Sequence, residues 1–158
     1  SSKEDSSRWC KKMGADYVIN YKNNLKDELK KINVEGVDYI FCANNTDAYF
    51  DQFSHITNPF GRIVSIVEID KAVNLASLKL KSISFSWEFM FTRSMFQTTD
   101  MSKQGDILAQ VAKLVENDKI KTTMNMNLGA MTPDNLKKGH DLLLTGNTVG
   151  KIVLGNLE

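Results

Sequence analysis

Apolar and polar positions switch between helical and strand spacing at a short, regular pace along this chain. From Glu4 to Met13 the residues suit a helix, with Trp9, Cys10 and Met13 near one face. Ser1 or Ser2 stands where a cap belongs, and Gly14 follows at the C-terminal end. Asp16-Tyr17-Val18-Ile19-Asn20 is short, aromatic and β-branched and predicts a strand. Leu25, Leu29 and Ile32 predict a second helix that Gly36 stops. Val37 to Phe41, apolar except for Asp38, has the pattern of a strand covered on both faces. A helix from Thr46 to Thr57 presents Ala48, Tyr49, Phe53 and Ile56, Pro59 and Gly61 form a turn, and Ile63 to Ile69 is the next buried strand. Ser82 to Phe91 predicts a further strand with Trp87, Phe89 and Phe91 on one side.

The organisation then changes. Asp106 to Val115 is an amphipathic helix through Ile107, Leu108, Val111 and Leu114, and Lys119 to Leu128 is strand-like. Thr132 suits a helix cap and Pro133 the first helical position of a helix carrying Leu136, His140, Leu143 and Leu144. Gly146 ends that helix, and Gly150 to Leu154 is a final strand. Helix and strand in alternation predict an α/β fold with a parallel sheet and right-handed crossovers. The tail need not join that sheet. The expected division is 1–98 for the sheet and 99–158 for the α+β remainder.

Composition narrows the function classes. The 158 residues are 42% hydrophobic and 25% charged, with 20 basic and 19 acidic side chains, an ordinary globular profile. Near-neutral charge without a basic stripe argues against a nucleic-acid binder. No apolar run reaches the ~18–20 residues of a membrane span, and the start SSKEDSSRW is not a signal peptide. Cys10 and Cys42 read as free thiols in a reducing compartment, so the cytoplasm is expected. His55 and His140 lie on helices without carboxylate or cysteine partners at ligand spacing. There is no H-E-x-x-H, C-x-x-C or nucleophile elbow, so no metal is expected on this chain and no catalytic residue stands out.

A dinucleotide-binding sheet normally opens with a strand, a glycine-rich turn and a helix whose N-terminus holds pyrophosphate. This sequence contains no G-x-G-x-x-G and opens on a helix. In the strand order 3-2-1-4-5-6, Asp16–Asn20 would be the third strand, and the first and second would be missing. The expectation is a piece of a longer polypeptide, because unpaired buried amides cost ~1–3 kcal/mol each. A self-contained α/β domain with another strand order is the rival.

Several stretches resemble medium-chain dehydrogenase/reductases. WCKKMGADYVINYKNN is similar to the segment leading into that family's third Rossmann strand, and GVDYIFCANNTDAYFDQF to its fourth strand and following helix. FGRIVSIV is similar to its fifth strand, and TGNTVGKIVL to the C-terminal return into the catalytic domain. SFSWEFMFTRSMFQTTDM resembles the quinone oxidoreductase-like branch, the zinc-type alcohol dehydrogenase-like proteins. The resemblance covers essentially the whole chain. It implies a partial Rossmann-type, doubly wound parallel sheet and hydride transfer from NADPH to a quinone or activated carbonyl. It also implies a cytoplasmic enzyme that is often a homodimer.

On that resemblance Ser1, Ser2 and Lys3 follow the second strand and suit the 2′-phosphate of NADP(H), where NAD-specific relatives carry a carboxylate. They serve equally as a helix cap and a solvated lysine. Tyr21 stands where the branch sets a tyrosine against the adenosine phosphate, or it packs on a neighbouring helix. Cys42, Ala43 and Asn44 end the fourth strand and face the ligand side of such sheets, although Asn44 or Asn45 can simply cap the next helix. Ile66 and Val67 either wall the nicotinamide or belong to the core. Phe89 and Phe91 form a substrate lip, a subunit contact through the strand around Trp87–Phe91, or buried packing. The expected partners are a nicotinamide cofactor, a small-molecule substrate and a second copy of the chain. The competing function is a non-catalytic cofactor-sensing or oligomerisation module.

Overall fold

The computed structural model describes residues 1–155. It divides into two compact units, one formed by Ile19–Gln104 and the other by Ser1–Val18 with the described residues from Gly105 onward. The grouping is not sequential, since the first helix clusters with the C-terminal elements.

In the first unit, α2 (Leu25–Lys31) starts at Asn24, whose side chain accepts from the N–H groups of Lys26 (3.0 Å) and Asp27 (3.2 Å). Such a cap is worth about 1 kcal/mol. Three parallel strands follow, β1 (Val37–Cys42), β2 (Thr57–Ser65) and β3 (Ser84–Trp87), paired in the order β1-β2-β3. Helix α3 (Thr46–Ile56) links β1 to β2, and a 3-10 helix (Leu75–Lys81) precedes β3. The sequence pattern did not announce the 3-10 helix, which buries only Leu78. Cys42, Phe50, Phe53, Ile63, Leu78 and Ile83 form one core cluster, and Leu25, Leu29 and Ile56 form a second. Lys81 closes the C-terminal end of α3, its ammonium donating to the carbonyls of Ser54 (2.9 Å) and Thr57 (2.8 Å).

The expected α/β class with a parallel sheet is present, but several elements differ from their sequence patterns. Asp16–Asn20 is not a strand, because among the described residues no strand lies beside it to complete a ladder. β1 is covered on one face only: Ile40 and Cys42 turn to the helices, whereas Tyr39 and Phe41 are 76% and 67% exposed. The Asn58–Gly61 excursion lies inside β2 and not before it. Val37 pairs with Thr57 and Tyr39 with Arg62, so four residues bulge opposite Asp38, with Phe60 at φ +64. β2 ends at Ser65, four residues early, and β3 ends at Trp87. Phe89 therefore lies beyond the strand, and Phe91 caps the short helix α4 (Thr92–Met95).

The second unit holds α1 (Glu4–Lys12), α5 (Lys103–Glu116, its first two residues assigned to the other unit), β4 (Met124–Asn127), α6 (Pro133–Leu144) and β5 (Lys151–Val153). β4 and β5 pair in parallel as a separate two-stranded sheet, so the tail does not join the first sheet. Thr132 caps α6, its hydroxyl accepting from Asn135 N–H at 3.2 Å, with Pro133 next, as expected. α1 is capped at Lys3 and not at Ser1 or Ser2, and the Lys3 side chain makes no cap bond. The apolar faces of α5 and α6 lie largely open among the described residues, with Leu108 at 63% and Leu144 at 85% exposure.

Candidate functional site

The three strands of the first unit end on one line. Cys42 pairs with Ser65, and Ser65 with Trp87. Hydrogen bonding continues one step further, from Ile66 N–H to Cys42 O (3.2 Å) and from Glu88 N–H to Ser65 O (3.0 Å). Residues 43–45, 66–68 and 88–91 therefore leave the sheet along one carboxyl edge. Open parallel sheets take their ligands there, because the connecting turns diverge and helix N-termini point outward.

A buried polar cluster holds that edge. Thr46 and Ser65 have no exposed surface, and their hydroxyls lie 2.6 Å apart. Val67 is tied at both of its polar atoms: its N–H donates to Ser65 Oγ (3.1 Å), and its carbonyl lies 3.0 Å from Ser65 Oγ and 3.1 Å from Thr46 Oγ1. The Cys42 thiol is 3.5 Å from the Thr46 hydroxyl and donates to Asn44 O at 3.4 Å. Asp47, in the first turn of α3, accepts from the backbone N–H groups of Asp70 (3.2 Å) and Lys71 (3.5 Å). Asn45, in the left-handed region at φ +50, caps α3 through Ala48 N–H at 3.2 Å. Sequence reasoning passed over Thr46, Ser65 and Asp47. The one available signal was a serine inside the apolar run IVSIV, since a hydroxyl buried in a strand needs a partner.

Of the residues singled out from the sequence, Cys42, Ala43, Asn44, Ile66 and Val67 come together at this edge. Cys42 is buried, Ala43 and Asn44 are exposed, and Ile66 is half-exposed, hence outside the core. Phe89 and Phe91 follow β3, both about half-exposed, with their rings edge-to-face at 5.5 Å. Buried packing is thus not their role among the described residues. Beside them Arg93 Nε donates to Asp100 (3.1 Å), as does the Thr98 hydroxyl (2.7 Å). The Thr98 bond, then that from Arg93, hold the Asp100 carboxyl below its usual range.

Tyr21 belongs to the turn between Asn20 and Asn24, edge-to-face with Tyr49 at 6.5 Å. Buried Glu28 holds this turn. It accepts from Lys31 Nζ (2.5 Å), Asn20 N–H (3.0 Å) and Asn23 Nδ2 (2.8 Å). The Lys31 bond first, then those of Asn20 and Asn23, lower its carboxyl from 4.5 to about 2. The folded state therefore favours the charged form, so this contribution is complete above pH 4.5 and is lost as pH falls towards 2. Glu28→Gln should lower stability at neutral pH and flatten its decline across that acid window. Urea midpoints measured between neutral pH and pH 2.5 that fall in parallel for both proteins would contradict this assignment.

Ser1, Ser2 and Lys3 lie in the other unit. Ser1 Oγ is 2.5 Å from Ser6 Oγ, and the Lys3 ammonium donates to the Asn147 side chain. Arg8 is occupied by Glu4 (2.7 Å) and Asp5. That unit also contains a cavity of about 510 Å³, with Trp9, Met126 and Leu142 as apolar walls and Arg8, Lys12 and Asn147 as polar lining. The sequence pattern gave no hint of it.

With this geometry in view, likeness to known proteins is informative. A family model described as zinc-binding dehydrogenase matches residues 13–154. The chain is 38% identical over 154 residues to a zinc-type alcohol dehydrogenase-like protein of Staphylococcus aureus (strain MSSA476), covering 98% of this chain and 46% of that protein. A protein of the same description from Staphylococcus epidermidis is 35% identical over the same shares. Among solved structures, a Rhizobium etli protein provisionally assigned as a zinc-dependent alcohol dehydrogenase superposes with a TM-score of 0.85 at 31% identity, over 100% of this chain and 46% of that one. CurA of Vibrio vulnificus, solved in complex with NADPH, shares the fold at a TM-score of 0.67 and 19% identity, over 99% of this chain and 48% of that one. The chain spans about half the length of the curated relatives it matches.

The family's description implies zinc, and the donor set here does not fit it. Among the described residues no group of three or more His, Cys, Asp or Glu side chains converges, and Cys10 and Cys42 belong to different units. No step through a metal is therefore derived from this chain. The match across residues 13–154 leaves the identity plain: the chain belongs to the zinc-binding dehydrogenase family, within the medium-chain dehydrogenase/reductase superfamily, and corresponds to the C-terminal half of its homologues.

Proposed function

We propose that this chain is the cofactor-side part of a longer NADPH-dependent oxidoreductase that transfers hydride to a quinone or activated carbonyl. The observation that carries the reading is the flush carboxyl edge of a parallel sheet in a chain of this family, its turns pinned from below by buried hydroxyls. Residues 1–98 form part of the dinucleotide-binding domain and 99–158 part of the catalytic domain; residues 156–158 of that span lie outside those described. Cys42, Ala43, Asn44, Ile66 and Val67 line the cofactor cleft, with Phe89 and Phe91 at its lip. Tyr21 approaches the adenosine phosphate, and Ser1, Ser2 and Lys3 hold the 2′-phosphate. A nicotinamide cofactor supplies the hydride itself, so the protein's work is to bind, orient and exclude water. That division of labour accounts for a site edge without an evident acid or base. The enzyme works in the cytoplasm, where Cys10 and Cys42 stay reduced.

A second reading, an oligomerisation surface, rests on the exposed apolar residues after β3. Met90 is 62% and Phe96 74% exposed, and Trp87, Phe89 and Phe91 lie beside them. It is compatible with the first, as the homodimer contact of the same enzyme.

Calorimetric titration with NADPH and NADH tests the enzymatic reading. The full-length polypeptide should bind NADPH more tightly than NADH and oxidise it when a quinone is present. Residues 1–158 alone should bind either cofactor weakly or not at all, since their sequence carries no glycine-rich phosphate loop. Micromolar binding by 1–158 would overturn that expectation for the shorter chain, and saturable binding by the full-length polypeptide without turnover on any acceptor would overturn the enzymatic reading.

A further inference from the structure

The buried hydroxyl pair Thr46–Ser65 contacts two of the candidate cofactor positions, Val67 through its backbone and Cys42 through its thiol. Its two protons serve a set of close contacts: hydroxyl to hydroxyl at 2.6 Å, and each hydroxyl to Val67 O at 3.0 and 3.1 Å. Two arrangements satisfy every group: Thr46 O–H donates to Ser65 Oγ and Ser65 O–H to Val67 O, or Ser65 O–H donates to Thr46 Oγ1 and Thr46 O–H to Val67 O. In both, Val67 N–H donates to Ser65 Oγ at 3.1 Å. The pair also joins three elements, since Ser65 ends β2, Thr46 opens α3 and Cys42 ends β1. A turn leaving a strand usually keeps freedom about its first peptide groups. Here the backbone of Val67 is tied at both its N–H and its carbonyl, and Ile66 is bonded to Cys42 O at 3.2 Å.

From this lock, and resting on the proposed cofactor reading, we infer that Thr46 and Ser65 are positioning residues that set Ile66 and Val67 against the nicotinamide end of the cofactor. Placement of a reacting ring within a fraction of an ångström is costly to lose. The lock bonds directly to the backbone of Val67, one of the residues assigned to the nicotinamide. It therefore governs one end of the ligand and not the other.

The test uses the full-length polypeptide and two probes, NADPH and 2′-phospho-ADP-ribose, which lacks the nicotinamide ring. Ser65→Ala, Thr46→Val and Thr46→Ser are compared with Leu29→Ala, a destabilising change in the other core cluster. Ser65→Ala and Thr46→Val should weaken NADPH roughly tenfold, the scale of one lost buried hydrogen bond, and leave 2′-phospho-ADP-ribose within about twofold. Thr46→Ser keeps the hydroxyl and should bind both probes as wild type does, as should Leu29→Ala. If Ser65→Ala does not fold, the near-isosteric Thr46→Val carries the test. Equal weakening of both probes, no change in either, or Thr46→Ser behaving like Thr46→Val would each overturn the inference. A wild-type protein that binds neither probe would instead remove the cofactor reading beneath it.

Discussion

Phe50→Ala should cost the sheet unit about 3–5 kcal/mol, the usual penalty for emptying a packed aromatic site. Phe50 is 1% exposed and lies where α3 meets the sheet, with ring centroids 6.1 Å from Phe53 and 5.6 Å from Phe85. Its neighbours Ile63, Leu78 and Cys42 come from β2, the 3-10 helix and β1, so they cannot collapse together into the vacated volume. Against a total stability of ~5–15 kcal/mol, the loss is a large share, and at the low end of that range it would unfold a substantial fraction of molecules. Phe50→Leu retains most of the buried area and should cost less than half as much. Urea unfolding of the full-length polypeptide, followed by tryptophan fluorescence, measures both. A loss below about 1 kcal/mol for Phe50→Ala would mean that this ring does not organise the core.

The second large effect is steric and comes from a residue without a side chain. A Cβ on Gly61 would lie 2.4 Å from Thr57 Cγ2, 2.9 Å from Asp38 O and 3.0 Å from Asn58 O. Two of those atoms are backbone. The third belongs to a threonine that is 1% exposed and donates from its hydroxyl to Phe53 O at 2.7 Å, so it cannot turn aside without losing that bond. Gly61→Ala should therefore displace the bulge opposite Asp38 and cost about 1–3 kcal/mol. Because Arg62 resumes the β1–β2 pairing at once, the damage should also reach the register that brings Ser65 level with Cys42. Gly105→Ala is the contrasting case. That helical glycine has nothing within 4 Å of its missing Cβ, and alanine there should stabilise by up to about 1 kcal/mol. Equal midpoints for Gly61→Ala and wild type would show that the bulge yields freely.

Each feature above was visible in the sequence to a different degree. The helices around Leu25, Phe53 and Pro133 were legible because their signals are local: apolar residues at helical spacing, and Thr132-Pro133 before the last of them. Capping and periodicity act within a turn or two of chain, so they do not depend on what packs against them. The carboxyl edge was legible only as a rule about parallel sheets, and it brought Cys42, Asn44 and Ile66 together as that rule implied.

The chain's order of residues by itself determined the α/β class, the position of the main helices, and the family likeness that its motifs carry. Tertiary structure alone decided where strands stop. Asp16–Asn20 has the composition of a strand but no neighbour among the described residues to bond with, and Ser82–Phe91 has the alternation of one yet leaves the ladder at Trp87. It also decided that Tyr39 and Phe41 face away from the helices, and that Thr46, nineteen positions before Ser65, supplies the hydroxyl that Ser65 needs. The physical reason is common to all of these. A ladder or a buried hydrogen bond is a property of two segments, and its second half is written elsewhere in the chain, at a distance that no local pattern records.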